Sequence, residues 1–123
     1  MAKETLQQIK SYEDACAYNG KQPIDEQALI SLGITPKQIA GIKLEEITLA
    51  LNKGTAVDIF DRERRYYPWF WTYDGPAAFA FVLSLCDDAG ADAGSGSRLA
   101  YREKAASDYS GRQFIELWKE YLS

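Results

Sequence analysis

The chain contains no histidine among its 123 residues. This absence excludes Ser-His-Asp and Cys-His nucleophilic centres, histidine metal ligands, and the side chain most often used for proton transfer near neutral pH. Carboxylate pairs such as Glu45 and Glu46 do occur, but adjacent positions on a helix point in different directions. The sequence therefore predicts no catalytic residues, and we expect a protein that is not an enzyme.

Cysteine is also scarce, because only Cys16 and Cys86 are present. Two cysteines do not make a disulfide framework, and no CxxC or Cys/His cluster indicates zinc. Both lie in apolar stretches, so we expect buried free thiols. The acidic, glycine-rich stretch with Asp87, Asp88 and Asp92 lacks the alternating ligands and distal Glu of a calcium loop. We predict a flexible loop over residues 86–96, and neither a metal nor a cofactor.

The chain has no long apolar run and no excess of basic charge. No segment reaches the roughly 20 apolar residues that span a bilayer, and the N-terminus lacks the apolar core of a signal peptide. We therefore expect a cytoplasmic protein without membrane contact. The net charge of −4 disfavours non-specific coating of nucleic acid, which needs a basic surface. The length predicts a single domain over residues 1–123, with residues 1–10 as a disordered segment.

The first half of the chain carries helix signals. Ser11, Asp25 and Thr35 each precede a stretch with helical features, and each can accept a hydrogen bond from a first-turn N–H. The Asn52-Lys53-Gly54 sequence closes the third helix. Gly41 is predicted to weaken that helix near its middle and to split it in two.

The second half changes to the period of strands. Residues 66–73 are strongly aromatic, although Pro68 cannot donate to a ladder and so predicts an edge strand or a bulge. Further strands are predicted over residues 77–85 and 97–102, and a helix from about Lys104. The predicted fold is α+β: short N-terminal helices, a three-stranded antiparallel meander sheet and a C-terminal helix packed on the sheet.

Four segments occur in a characteristic order: Leu51-Asn52-Lys53-Gly54, Tyr66-Tyr67-Pro68-Trp69-Phe70, Gly96-Ser97-Arg98-Leu99 and Gly111-Arg112-Gln113-Phe114 with Leu117 and Tyr121. Together they resemble small proteins encoded by gut Bacteroidota and by their phages or prophages. The likeness covers roughly residues 40–123, and it implies an origin of this kind without implying a mechanism.

The aromatic strand is the best candidate for a binding surface. Helices packed on one side of the sheet bury one face, so large aromatic side chains should remain on the other, beside small residues and arginines. Such a surface suits a protein partner or, as the alternative, the bases of a nucleic acid; the rings could equally cover a minor core. The oligomeric state is left open. The candidate residues are Tyr67, Trp69, Phe70, Trp71, Arg64, Arg65, Arg98 and Arg102.

Overall fold

The computed structural model describes residues 6–55, 60, 64–88 and 99–123. The α+β prediction is confirmed: the structure combines helices with a two-stranded antiparallel sheet, and a helix of the C-terminal region packs on that sheet. The helices are α1 (Tyr12–Asn19), α2 (Glu26–Ser31), α3 (Pro36–Leu51), α4 (Lys104–Gln113) and α5 (Ile115–Leu122), and the strands are β1 (Arg64–Trp71) and β2 (Ala80–Asp88).

The N-terminal helices begin at the residues that the sequence predicts. The side chains of Ser11, Asp25 and Thr35 each accept a hydrogen bond from a backbone N–H of the first turn, and Thr35 forms a reciprocal capping box. The predicted split at Gly41 is wrong, because α3 is continuous. A Cβ atom at this glycine would lie 2.9 Å from Cε1 of Tyr121, so Gly41 allows α5 to approach α3 closely.

The two strands pair with a bulge that changes the predicted faces. Trp69 lies opposite Leu83 and Phe70 opposite Phe81, so Val82 is an extra residue in β2. As a result, Phe81 and Leu83 lie on opposite faces, although strict alternation placed them together. The second strand also starts later than predicted, at Ala80, because a 3₁₀ turn occupies Pro76–Ala78.

The predicted third strand over residues 97–102 is not found among the described residues. Tyr101 instead makes a single antiparallel bridge to Tyr66, with two N–H···O hydrogen bonds of 2.7 Å. This bridge cannot extend into a strand. In one direction the next pair would need an N–H from Pro68, which has none. In the other direction α4 begins just after Glu103. The bridge also lies beside β1, whereas a meander would have placed it beside β2.

The core lies between α1, α3, α5 and the face of the sheet that carries Phe70. The C-terminal helix that was predicted as one is two, because the chain bends at Phe114, which has φ −110° and ψ 30°. Before this bend α4 packs on the sheet, and after it α5 packs on α3. Buried apolar side chains include Ile9, Tyr12, Ala15, Cys16, Leu44, Ile47, Leu51, Phe70, Tyr101, Phe114 and Trp118.

A polar network crosses this core. The Thr48 hydroxyl donates to the Tyr101 hydroxyl over 3.0 Å, and Tyr101 donates to Oγ of Ser110 over 2.6 Å. Nε1 of Trp118 donates to the same Ser110 oxygen over 3.0 Å. All of these residues are buried, and burial raises the pKa of Tyr101 to about 12. The network therefore holds a neutral phenol that ties three helices to the segment after β2.

None of the helices in the described part of the chain has the length and apolar character needed to cross a bilayer.

Candidate binding surface

The sheet has an inner face against α4 and an outer face that is exposed to solvent around Trp69, Trp71 and Leu83. Alternation places Arg65 on the same outer face, but there it is buried. The inner face includes Pro68, Phe81 and Ser84, which contact α4. The outer face is formed by Tyr67, Trp69 and Trp71 of β1 and by Leu83 and Leu85 of β2. Trp69 is 54% exposed, and Trp71 and Leu83 are each 43% exposed. Because Trp69 lies directly opposite Leu83, these side chains form one apolar surface instead of isolated exposed residues.

The turn after β1 holds part of this surface in place. Nε1 of Trp71 donates to Oδ2 of Asp74 over 2.8 Å, which satisfies the polar atom of the indole. Tyr73 lies edge-on to Trp71 with 5.1 Å between ring centroids, and it is 85% exposed. The aromatic row therefore continues from the strand into the turn.

Phe70, which the sequence placed among the binding residues, lies in the core. Its side chain is only 8% exposed. The ring stacks on Phe79 at 4.8 Å between centroids and lies 5.7 Å from the ring of Trp118. Because Phe70 lies opposite Phe81, its ring is on the inner face of the sheet, where it packs in the core and is not accessible to a partner.

The candidate arginines do not gather around the tryptophans. Arg64 is exposed at the start of β1, whereas Arg65 is 2% exposed and its Nη1 donates to the Arg64 carbonyl over 3.0 Å. Arg102 follows Tyr101, which pairs with Tyr66, and this places its backbone about 13 Å along β1 from Trp69. Arg98 lies outside the described residues. Neither Arg65 nor Arg102 thus belongs to a shared aromatic and basic platform.

Arg102 belongs to a different surface feature. It lines a cleft of about 330 Å³ together with Asn52, Lys53, Thr55 and Glu103. Lys53 and Glu103 form an ion pair of 3.7 Å with both side chains about half exposed, so its contribution to stability is small. The cleft presents both signs of charge.

One polar cluster joins β2 to α4. The Ser84 hydroxyl donates to Oδ1 of Asp108 over 2.6 Å and lies 2.7 Å from Oγ of Ser107, while Lys104 contacts the other Asp108 oxygen at 3.0 Å. Desolvation raises the pKa of Asp108, but the hydrogen bonds from Ser84 and Lys104 and the Lys104 charge outweigh it, so this pKa lies below its ordinary value. A carboxylate of lowered pKa is a weak base, and the cluster serves to fasten α4 to the sheet.

The sequence missed two exposed features of β2. Leu83 and Val82 are 43% and 47% exposed, and only the bulge explains why both reach solvent. Cys86 was predicted to be buried, but it is exposed, because β2 lies at the margin of the two-stranded sheet among the described residues. Cys16 is buried as expected. The shared face of Trp69, Trp71 and Tyr73 follows from their alternation in the sequence, whereas the sequence did not say whether that face or the opposite one is exposed.

The described residues contain no group of three or more Cys, Asp or Glu side chains that could hold a metal ion. In comparisons with protein-family models, with curated proteins and with solved structures, no match to this chain was found.

Proposed function

We propose that this chain is a non-enzymatic binding protein that contacts another protein through the outer face of its sheet. The observation that carries the proposal is the row of exposed Trp69, Trp71 and Tyr73 beside exposed Leu83. Tryptophan and tyrosine dominate the energetics of protein interfaces because they bury large areas at a low cost in conformational entropy. The resemblance to small phage and prophage proteins is compatible with an accessory role of this kind.

The local order of the surface supports a binding role. Asp74 fixes the Trp71 indole, which remains 43% exposed. The inner face is anchored to α4 by Phe81 and Ser84, and Phe70 packs 5.7 Å from the ring of Trp118 in α5. A rigid aromatic surface loses little side-chain freedom on binding, which raises affinity for a given buried area.

A protein partner fits the charges better than a nucleic acid does. Nucleic-acid surfaces place Lys and Arg among the stacking rings so that they neutralise phosphates. Here Arg65 is buried, Arg102 lies at the far end of β1, and the residue next to Trp71 in space is the acidic Asp74. The net charge of −4 points in the same direction.

The proposal can be tested by site-specific photo-crosslinking in the native host. A photoreactive phenylalanine analogue replaces Trp69, and the matched control carries it at Tyr18, an exposed aromatic residue of α1 (40% exposed). We expect a protein adduct from position 69 that is absent from position 18. A nucleic-acid adduct at position 69, or no adduct specific to it, contradicts the proposal.

The partner identified in this way is then purified and titrated. Trp69→Ala should weaken its binding by at least about 30-fold, as expected for a hot-spot residue, while Tyr18→Ala should leave it unchanged. The affinity should depend little on salt. A steep salt dependence would instead indicate phosphate neutralisation and would favour the nucleic-acid alternative.

A further inference from the structure

We propose that β2 pairs with β2 of a second copy of this chain, edge to edge and antiparallel, to form a four-stranded sheet across a two-fold axis. The proposal rests on the edge of β2 that no other described strand pairs with, and it does not depend on what the outer face binds. It concerns backbone groups, whereas the proposed function concerns the side chains of Trp69 and Trp71.

The backbone pairing of β1 shows which groups of β2 point outward. The N–H and C=O of Tyr66 bond to Tyr101, so they point away from β2. Directions alternate along a strand, and Tyr67 therefore bonds to its partner Leu85. It follows that the N–H and C=O groups of Ser84 and Cys86 point away from β1, toward the outer edge of β2.

No described strand covers this edge. The sheet among the described residues has two strands, and β2 lies at its margin. The chain leaves β2 at Asp88 and is next described at Leu99, close to the Tyr101 bridge on the other side of β1. The helix on the inner face, α4, packs more on β1 than on β2, and its hydrogen bonds to Ser84 reach the side chain, not the outward backbone groups.

The side chains of β2 are suited to pairing with a second copy. From Ala80 to Cys86 the strand has no charge and no proline, and it includes Phe81 and Val82, which have high β propensity. Natural proteins protect exposed edge strands with lysine, proline, charge or a bulge, and over those seven positions this edge has only the bulge at Val82. The occupant that matches an uncharged edge of this kind is another uncharged strand, and the same strand in a second copy supplies one.

The charges and the bulge select the orientation and the register. The acidic residues of β2 are Asp87 and Asp88 at its end, so parallel pairing would bring the acids of two copies together, whereas antiparallel pairing separates them. The bulge at Val82 interrupts the regular edge, which leaves Ser84 and Cys86 as its regular outward positions. A two-fold axis at Leu85 pairs Ser84 of each copy with Cys86 of the other through four backbone hydrogen bonds.

A proline substitution tests this geometry. The N–H of Cys86 points outward, so Cys86→Pro removes two of the four hydrogen bonds of the dimer, one from each copy, and none of the β1–β2 ladder. Cys86→Val keeps the N–H and the strand propensity and is the matched control. We expect the native protein and Cys86→Val to sediment as dimers, at twice the 13.8-kDa chain mass, and Cys86→Pro as a folded monomer.

A thiol cross-link tests the register in the unmodified protein. In this register the Cα atoms of the two Cys86 residues lie about 8 Å apart, too far for a disulfide but within reach of a short bis-maleimide. Cys16 is 1% exposed and should not react in the folded protein. We expect a cross-linked dimer that is absent from Cys86→Ser.

Three outcomes overturn the proposal. The first is a native protein that remains monomeric into the millimolar range. The second is a dimer that survives Cys86→Pro, and the third is one that dissociates on Trp69→Ala, since that would place the contact on the outer face. If Cys86→Pro does not fold, hydrogen exchange of the native protein decides: the amides of Ser84 and Cys86 must gain protection as concentration rises, and constant protection contradicts the dimer.

Discussion

The side chain of Asn52 holds the backbone on both sides of Tyr101. Its Nδ2 donates to the carbonyl oxygen of Ala100 and its Oδ1 accepts from the N–H of Arg102, each over 3.0 Å. On the other edge of this segment, Tyr101 pairs with Tyr66. An amide side chain at the end of α3 thus takes the place of a neighbouring strand, and it ties the end of α3 to the segment that precedes α4.

Removal of this amide should be costly. Asn52→Ala leaves a carbonyl and an N–H without their partner in a place where Asn52 itself is only 6% exposed, so we expect a loss of about 2–4 kcal/mol in the free energy of unfolding. Lys53→Ala is the control, because it removes only the exposed ion pair to Glu103 and should cost less than about 1 kcal/mol. Urea denaturation measures both, and equal effects would contradict the role assigned to Asn52.

Two helical glycines should respond differently to alanine. A Cβ at Gly111 would overlap Cδ1 of Phe81 and lie 2.9 Å from Cβ of Pro68, so Gly111→Ala forces α4 away from the sheet and should cost about 1–3 kcal/mol. At Gly41 the nearest atoms belong to the Tyr121 side chain near the end of the chain, and a gain in helix propensity of about 1 kcal/mol offsets the crowding. We therefore expect Gly41→Ala to be clearly the milder change in thermal denaturation.

Stability should fall at high pH because of Tyr101. Its pKa is raised from 10.0 to about 12 in the folded protein, so between these values the unfolded chain releases this proton while the folded chain retains it. The free energy of unfolding therefore decreases as pH rises from about 10 to about 12, by about 2–3 kcal/mol for this residue. The pKa of Tyr12 is also raised to about 12, so the comparison with Tyr101→Phe isolates the Tyr101 contribution. Parallel stability curves for the two proteins would contradict it.

Trp118 and Trp69 should differ in their contribution to the free energy of unfolding. Trp118 is 5% exposed, packs 5.7 Å from Phe70 and donates to Ser110, so Trp118→Ala should cost about 3–5 kcal/mol. Trp69 is 54% exposed, and Trp69→Ala should leave the denaturation midpoint nearly unchanged. If Trp69→Ala destabilises the protein as much as Trp118→Ala does, the outer face is part of the core and is not a binding surface.

The sheet illustrates how far the sequence pattern reaches. The alternation of Trp69, Trp71 and Tyr73 predicted a shared face of β1, and the structure places all three in solvent. In β2 the faces predicted from alternation were wrong, because no residue in the sequence indicates the bulge at Val82. The register of two paired strands decides where an extra residue is accommodated, so Leu83 joined the outer face only when the strands paired.

The effect of Pro68 on strand pairing could be predicted only in part from the sequence. The sequence indicated that it would stand at an unpaired edge or a bulge, and it does lie where the pairing with the Tyr101 segment stops. The missing N–H of Pro68 also prevents a third strand beside β1. The sequence could not show this, because the meander prediction put the third strand beside β2 and only the structure places Tyr101 opposite Tyr66.

By itself the sequence determined the features that depend on residues a few positions apart. Ser11, Asp25 and Thr35 cap their helices with N–H groups three residues away, and Asn52-Lys53-Gly54 ends α3, because a cap needs only a local side chain and a local backbone shape. The tertiary structure decided the burial of Arg65, the exposure of Cys86 and the contact of Asn52 with Ala100, 48 positions away. These depend on which distant surfaces pack together, and packing is set by the whole chain because each buried group needs partners that its own neighbours do not supply.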